Sequence, residues 1–368
     1  LLEKIKTKNN ISSLDLSIGQ PYHKFPGFIK KILNTHNSKW GLYPPLKGIP
    51  SLRIAYKNWV KRRFELKNNF FDDKNILPLS GTREGLYSIS SVLSIQQVIV
   101  PNPFYQVYLG ASLFQNLPIV YMHTDIKKNY LLDLEMLEHS IRKKPSLIYF
   151  CNPSNPQGKS ASLHYIKKLI NIVRKQNSIL ILDECYVDVY TNSKPTGAIE
   201  VCEQLGKSLK NILIFHSLSK RSNVPGLRSG FVLGDDRIIQ LFAKLRSYSA
   251  PTIPIPIQFA SSRLWSDEKH VKESRKKYQI KFDYADKLLS KYKNYQRPEA
   301  GFNLWLNVGD GENFAKKLYK DFSLKVMPGS YLAKGFKNNP GNKYVRISLV
   351  HNILKCKSAI ENIEKLLK

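Results

Sequence analysis

Short apolar runs alternate with amphipathic stretches through the middle of the chain. The stretch at residues 163–174 repeats its apolar positions with the spacing of a helix. The apolar runs are short enough for strands, and they lie at residues 76–79, 98–100, 147–150, 179–182, 212–215 and 231–233. Because strands buried on both faces read as continuous apolar runs, this alternation predicts an α/β fold with a mostly parallel, doubly wound sheet.

The last hundred or so residues have a different pattern, typical of an α+β unit. From about Trp265 they read as a long charged helix, short strands at 302–306 and 344–349, and a C-terminal helix. Prolines stand just before this region, in a segment that we predict to be non-helical: Pro251, Pro254 and Pro256.

These patterns predict two domains in a chain of 368 residues. The large domain would span residues 36–264, and the small domain would combine residues 1–35 with 265–368. The sequence has no apolar run long enough for a transmembrane helix, and its start has no secretory signal. We therefore expect a cytoplasmic protein without a membrane partner.

Charge and cysteine usage bear on two classes of site. The net charge of +30 suggests a nucleic-acid partner. However, the lysines are scattered along the whole chain, and no zinc-finger or RNP pattern accompanies them, so we expect no nucleic-acid partner. The four cysteines form no CxxC pair and the histidines lack metal-ligand spacing, so we predict no metal site. The charge would instead steer anionic substrates.

Polar clusters follow the predicted strands, and ligands of open α/β sheets bind beyond the carboxyl ends of the strands. Residues 80–85 form a glycine-containing turn that opens a helix, which suits either a phosphate cradle or simple helix capping. Residues 101–108 carry prolines and tyrosines, which would present an aromatic face to a planar ring or fill the core.

Two further clusters follow the next strands. Residues 151–158 contain two Asn-Pro dipeptides, and Asn155 would donate to a ring oxygen or belong to an ordinary turn. Asp183 ends a buried strand, where a carboxylate needs a cation such as a protonated ring nitrogen, unless it caps the next helix. Tyr186 is close enough in sequence to reach the same ring.

The most informative segment is residues 217–230, which reads Ser-Leu-Ser-Lys-Arg-Ser-Asn-Val-Pro-Gly-Leu-Arg-Ser-Gly. It places Lys220 after a buried strand and near Arg228. A positive neighbour depresses the pKa of a lysine, which suits an amine that attacks a carbonyl. Two solvated surface cations are the alternative. Taken together, the five clusters supply what pyridoxal phosphate needs from its protein.

With these motifs the chain resembles the class I/II aminotransferases, which are pyridoxal-phosphate enzymes of fold type I. The resemblance runs from residues 17–21 to residues 345–348. It implies that Lys220 forms a Schiff base with the cofactor and moves the substrate's α-proton. Asp183 would keep the pyridine nitrogen protonated, and Asn155 and Tyr186 would bond the phenolic oxygen.

The resemblance also implies residues for the ring, the phosphate and the substrate. Tyr105 would stack on the cofactor ring. The phosphate would be held by Gly81, Thr82, Arg83, Ser217 and Arg228. Arg346 would clamp the substrate's α-carboxylate, with Gly19 and Asn155 beside it. Tyr43 would reach the phosphate of a neighbouring subunit, which implies a homodimer.

Several strings, at residues 81–84, 102–106, 183–186 and 217–231, are similar to those of succinyldiaminopimelate aminotransferases. This implies glutamate as donor, 2-oxoglutarate as product and N-succinyl-2-amino-6-oxopimelate as acceptor, in lysine and cell-wall (diaminopimelate) biosynthesis. The acceptor has additional carboxylates, for which Arg83 and Arg221 are candidates.

Two other readings stay open at this point. The first keeps the fold and changes the chemistry, to an aspartate-, aromatic- or alanine-type aminotransferase or a pyridoxal-phosphate lyase. The second is a basic binding protein or regulator on a retired enzyme fold. Such a protein would be expected to lose Lys220, Asp183 or Arg346, and the chain keeps all three.

Overall fold

The strands of the computed structural model follow the predicted apolar runs closely. The structure describes residues 1–3, 5–7, 12–249, 251–335 and 338–368. The strands are β1 (Leu14–Asp15), β2 (Ile76–Leu79), β3 (Gln97–Asn102), β4 (Ile119–His123), β5 (Ser146–Cys151), β6 (Ile179–Asp183), β7 (Ile212–Ser217), β8 (Gly230–Gly234), β9 (Asn303–Asn307), β10 (Leu324–Lys325), β11 (Met327–Pro328) and β12 (Tyr344–Ser348).

Helices separate most of these strands. They are α1 (Phe28–Thr35), α2 (Pro50–Phe64), α3 (Thr82–Ser88), α4 (Gly110–Gln115), α5 (Leu134–Ile141), α6 (Leu163–Lys175), α7 (Ala198–Gln204), α8 (Leu218–Arg221), α9 (Asp236–Ser249), α10 (Ile255–Ser266), α11 (Lys269–Leu289), α12 (Gly311–Phe322) and α13 (Ile353–Leu367). None of the helices in the described ranges is long and apolar enough to cross a membrane.

Within the described chain, the large sheet has seven strands in the order β2-β8-β7-β6-β5-β3-β4. The pairs from β7 to β4 are parallel, and β8 alone runs antiparallel to its two neighbours. Strands β5 and β7 are buried along their whole length, as their continuous apolar runs predict. The predicted α/β class with a mostly parallel sheet is confirmed.

Helix α6 shows how the amphipathic segments cover this sheet. The side chain of Ser162 caps its first turn by accepting from the N–H of Tyr165. Its inner face buries Ile166, Leu169, Ile170 and Val173. Burying each of these side chains contributes roughly 1.5–3 kcal/mol, so the helix is held on the sheet by this apolar stripe.

The prediction that the proline-containing segment is non-helical is wrong for Pro256. Helix α10 begins at Ile255, and Pro256 lies in its first turn. Proline is tolerated there because the first N–H groups of a helix have no partner within the helix. The Gln258 side chain holds this end by accepting from Ile49 N–H (2.6 Å) and donating to Ile253 O (2.6 Å).

The C-terminal residues form a second core around the antiparallel sheet β11-β12-β9. Strand β1 pairs with β10, so the N-terminal segment joins this part of the molecule. Ile29 and Trp265 pack instead in the core of the large sheet. The predicted bounds, residues 36–264 for the large domain and residues 1–35 with 265–368 for the small one, assign both side chains to the small domain. The two side chains pack in the large one, and the division stays a prediction.

Candidate active site

A cleft of about 550 Å³ opens where the parallel strands end. The predicted site residues that line it are Gly19, Thr82, Arg83, Tyr105, Asn155, Asp183, Tyr186, Ser217, Lys220, Arg228 and Arg346. Gly81 lies directly behind the guanidinium of Arg228. Tyr43 is fully exposed and does not line the cleft of its own chain.

Lys220 reaches the cleft from the short helix α8, directly after β7. Ser217 caps this helix by accepting from the N–H of Ser219. The Nζ of Lys220 donates to the carbonyl oxygen of Gly19. Burial lowers the pKa of Lys220 to about 8, and the charges of Arg346 and Arg228 add to this effect. The positive neighbour expected from the sequence, Arg228, thus lowers the pKa of Lys220 less than burial does.

Asp183 ends β6, next to the strand that leads to Lys220, and is 5% exposed. Its Oδ2 accepts from the hydroxyl of Tyr108 (2.8 Å) and its Oδ1 from the N–H of Cys185 (3.3 Å). Burial raises the pKa of Asp183, although these donors oppose the shift. Among the described residues, its hydrogen-bond donors are neutral and no cation forms an ion pair with it, so the buried carboxylate would pair strongly with a protonated ring nitrogen.

Tyr108 is a functional residue that sequence reasoning did not identify. The sequence places it in an aromatic cluster, and the structure shows that its buried hydroxyl donates to Asp183. Its ring stacks on Tyr149, with centroids 4.6 Å apart, and lies edge-on to Tyr105. The only signal in the sequence was the presence of a second polar-tipped aromatic after Tyr105.

One wall of the cleft forms a cup beside Arg228. Arg228 Nη1 donates to Pro225 O (2.8 Å), and Arg228 Nη2 donates to Ser80 O (3.3 Å). Gly81 adopts φ +82°, and a Cβ there would lie 1.9 Å from Arg228 Nη2. Glycine is therefore required for the guanidinium to lie against the turn. The hydroxyl groups of Thr82 and Ser217 line the same cleft.

Arg346 projects from β12 into the other side of the cleft. Its Nη2 donates to Ser17 O (2.6 Å) and its Nη1 to Asn155 Oδ1 (3.4 Å), while its buried Nε has no partner in the described chain. Burial lowers the pKa of Arg346. A half-buried guanidinium whose partners in the described chain are all neutral is suited to a planar carboxylate, which it would bind in a bidentate manner.

Tyr186 lies between these two sides. Its ring packs on Phe302, with centroids 5.4 Å apart. Burial raises the pKa of Tyr186, although the charge of Arg346 opposes the shift. Its hydroxyl therefore stays protonated and is available as a donor to a ligand.

The structure separates the two arginines considered for distal carboxylates. Arg83 is exposed and lines the cleft. Arg221 is buried and forms ion pairs with Asp188 (2.8 Å) and Glu268 (2.6 Å). Its guanidinium is committed to these carboxylates, so the interpretation of Arg221 as a substrate ligand is wrong.

Comparison with known proteins accounts for this arrangement. The sequence matches the family "Aminotransferase class I and II" over residues 11–363. The chain belongs to this family.

Relatives of known structure and name agree with this assignment. An aminotransferase from Neisseria meningitidis has a TM-score of 0.93 and 36% identity, covering 100% of this chain and 95% of that one. The aminotransferase AspB from Helicobacter pylori has a TM-score of 0.91 and 33% identity, covering 99% and 95%. The LL-diaminopimelate aminotransferase of Maridesulfovibrio salexigens is 28% identical, covering 97% of this chain and 92% of that protein.

The cofactor of this aminotransferase is pyridoxal phosphate, and its substrates are amino acids and 2-oxo acids. The cleft fits the cofactor. Lys220 offers an amine of lowered pKa, and Asp183 a buried carboxylate without a cation. Gly81 adopts φ +82° at this cup, and a Cβ there would displace the guanidinium of Arg228 from its place against the turn. The described residues contain no group of three metal-ligating side chains.

The lowered pKa of Lys220 predicts how cofactor attachment depends on pH. Only the neutral amine attacks an aldehyde, and below the pKa its fraction falls about tenfold per pH unit. The rate of covalent attachment to the cofactor-free enzyme should therefore rise with pH and level off above about 8. Borohydride trapping followed by mass spectrometry measures this rate. A rate that still rises close to tenfold from pH 8 to pH 9, as expected for an ordinary lysine with a pKa of about 10.4, would contradict the prediction.

Proposed function

We propose that this aminotransferase transfers the amino group of glutamate to N-succinyl-2-amino-6-oxopimelate, in diaminopimelate and lysine biosynthesis. Relatives named LL-diaminopimelate aminotransferases support a substrate of the diaminopimelate type. The observation that carries the proposal is the guanidinium of Arg83. It lines the same cleft as Arg346 and forms no ion pair within the described chain, so it is available to a distal carboxylate.

The site residues have separate roles in this proposal. The bound cofactor supplies an aldehyde for the amino group and a ring that takes up electrons from the substrate's Cα. Lys220 holds the cofactor and then moves the proton at Cα, and Asp183 pairs with the ring nitrogen. Asn155 and Tyr186 donate to the ring oxygen, and Tyr105 stacks on the ring. The phosphate ligands are Gly81, Thr82, Ser217 and Arg228, and Arg83 is the alternative phosphate ligand if it does not bind the distal carboxylate.

Arg346 binds the α-carboxylate of each substrate in turn, with Gly19 and Asn155 beside it. Glutamate leaves as 2-oxoglutarate before the acceptor enters, because both compounds need the same guanidinium. Arg83 would serve either the distal carboxylate or the phosphate, and these two roles make different predictions for substrates that lack a distal carboxylate.

The proposal includes a homodimer. Tyr43 is fully exposed, and the neighbouring Trp40 and Leu42 are 53% and 54% exposed. Such an apolar surface suits burial against a second copy of the chain. In that dimer Tyr43 would reach the phosphate of the partner's cofactor.

The first experiment is a half-reaction with glutamate alone. The cofactor-loaded enzyme should release close to one 2-oxoglutarate per chain, with loss of the cofactor's visible absorbance. The Lys220→Ala variant should attach no cofactor covalently and should release no 2-oxoglutarate. The Lys168→Ala variant, which changes an exposed lysine of α6, should behave as wild type.

Release of no 2-oxoglutarate by wild type would exclude glutamate as donor. A panel of amino acids and 2-oxo acids would then separate the aspartate-, aromatic- and alanine-type activities from a lyase, which needs no acceptor.

Asp183→Ala should lower turnover far more than it lowers cofactor binding. Without the counter-charge of Asp183 the ring nitrogen holds its proton less well and the ring takes up electrons from Cα less readily, so a barrier higher by about 2 kcal/mol or more lowers kcat at least about thirtyfold. Lys220, Ser217 and Arg228 still hold the cofactor. Single-turnover kinetics and the Kd for pyridoxal phosphate measure the two effects. Equal losses in both would contradict the role of Asp183.

Arg83→Gln should weaken the succinylated acceptor selectively. Losing a hydrogen bond to a charged group costs about 1.5–3 kcal/mol, so kcat/KM should fall about 10- to 100-fold. Pyruvate has no distal carboxylate and should react as before. Arg142→Gln, an exposed arginine outside the cleft, is the matched control. An equal loss for both acceptors would assign Arg83 to the phosphate instead.

A further inference from the structure

Asn303 lies on the antiparallel sheet of the C-terminal core and contacts Asn155, in the loop after β5. It begins β9 and is 4% exposed. Its Nδ2 donates to Oδ1 of Asn155 at 3.4 Å, across 148 residues of sequence. Its own Oδ1 accepts from the hydroxyl of Ser348 at 2.8 Å, and the two residues are register partners on β9 and β12. Because arginine has only donors, the atom of Asn155 that faces Arg346 is its oxygen, so Asn303 presents its amide nitrogen to that oxygen and its own oxygen to Ser348.

The carboxamide oxygen of Asn155 thus meets donors on two sides. Arg346 Nη1 also donates to this oxygen, at 3.4 Å. A rotation of the amide by half a turn would place its N–H groups against those of Asn303 and Arg346. The opposite end of Asn155, its amide nitrogen, has no partner in the described chain and belongs to the lining of the cleft. The amide is therefore fixed with its donor available to a ligand.

We propose that Asn303, held by Ser348, is a positioning residue that fixes the carboxamide of Asn155 so that its N–H group faces the cofactor's ring oxygen. This inference rests on the proposed function, in which Asn155 donates to that oxygen. Neither Asn303 nor Ser348 lines the cleft, so both act through Asn155. Without Asn303, only the single weak contact from Arg346 opposes rotation of the amide.

The positioning has a spectroscopic consequence. A donor to the ring oxygen stabilises its anionic form and so makes the adjacent nitrogen, which joins the cofactor to Lys220, less basic. Loss of the donor raises the pKa of that nitrogen. A neutral hydrogen bond corresponds to a shift of about half to one pKa unit. The visible absorbance of the loaded enzyme, followed against pH, reports this value directly.

The test compares Asn303→Leu and Ser348→Ala in the wild-type and Asn155→Ala backgrounds. Asn303→Leu keeps the shape and removes the donor, so the pKa should rise by about half to one unit. Ser348→Ala should produce a smaller rise in the same direction. Neither substitution should shift the pKa further once Asn155 is alanine, because residues that act through one another are not additive.

Two controls separate positioning from a general loss of structure. Ser261→Ala removes a buried serine of α10 whose hydroxyl has no partner in the described chain, and it should leave the pKa unchanged. If Asn303→Leu does not fold, Ser348→Ala carries the test. Equal shifts with and without Asn155, or no shift from either substitution, would overturn the proposal. A wild-type enzyme that binds no cofactor covalently would overturn the proposed function itself, and the inference with it.

Discussion

The site depends on holding two ionisable groups at the ends of adjacent parallel strands, where neither forms an ion pair with the other or with any other side chain that the structure describes. Asp183 ends β6 and Lys220 follows β7, and both are withdrawn from water. Desolvation shifts each pKa towards the neutral form, which costs stability in the empty protein. The surrounding structure offsets this cost with neutral donors, from Tyr108 and Cys185 to Asp183. The cofactor then supplies the charges and the aldehyde that these groups lack, so the site is preorganised for it.

Buried polar side chains next to Asp183 and Lys220 in sequence form a further set of hydrogen bonds and ion pairs, outside the cleft. Glu184 contacts His216 Nε2 (2.9 Å), and His216 Nδ1 lies 2.7 Å from the hydroxyl of Tyr56 on α2. Asp188 forms ion pairs with Arg63 and Arg221. Burial alone would raise the pKa of Asp188, but the two positive charges outweigh this effect and keep the pKa below its usual range. Removing one member of such a buried group leaves an uncompensated charge, which typically costs about 3–5 kcal/mol. The same network explains why Arg221, one residue after Lys220, faces away from the substrate.

Features encoded in contiguous sequence were predictable, and contacts between distant segments were not. The apolar runs located β5, β6 and β7 to within two residues because strands buried on both faces leave a continuous signal. Asp183 and Lys220 were found because each directly follows such a run. The contact from Asn303 to Asn155 joins a strand of the small antiparallel sheet to the loop after β5, 148 residues away in sequence, and leaves no periodic signal. The same holds for the bond from Tyr108 to Asp183, and for Arg221, whose partners lie 33 and 47 residues away.

Asn155 lies between Arg346, which is suited to the substrate's carboxylate, and the part of the cleft proposed for the cofactor. Its oxygen is held by Arg346 and by Asn303 of the same antiparallel sheet. Its backbone belongs to the loop after β5 of the large sheet. A substrate that draws Arg346 towards its carboxylate would therefore act on the same amide that is available to the cofactor. In the proposed arrangement Asn303 contributes a donor that does not depend on the substrate, so the amide would keep its orientation whether the guanidinium is engaged or not. This separation suits an enzyme that must bind two different carboxylates in succession while its cofactor stays in one position.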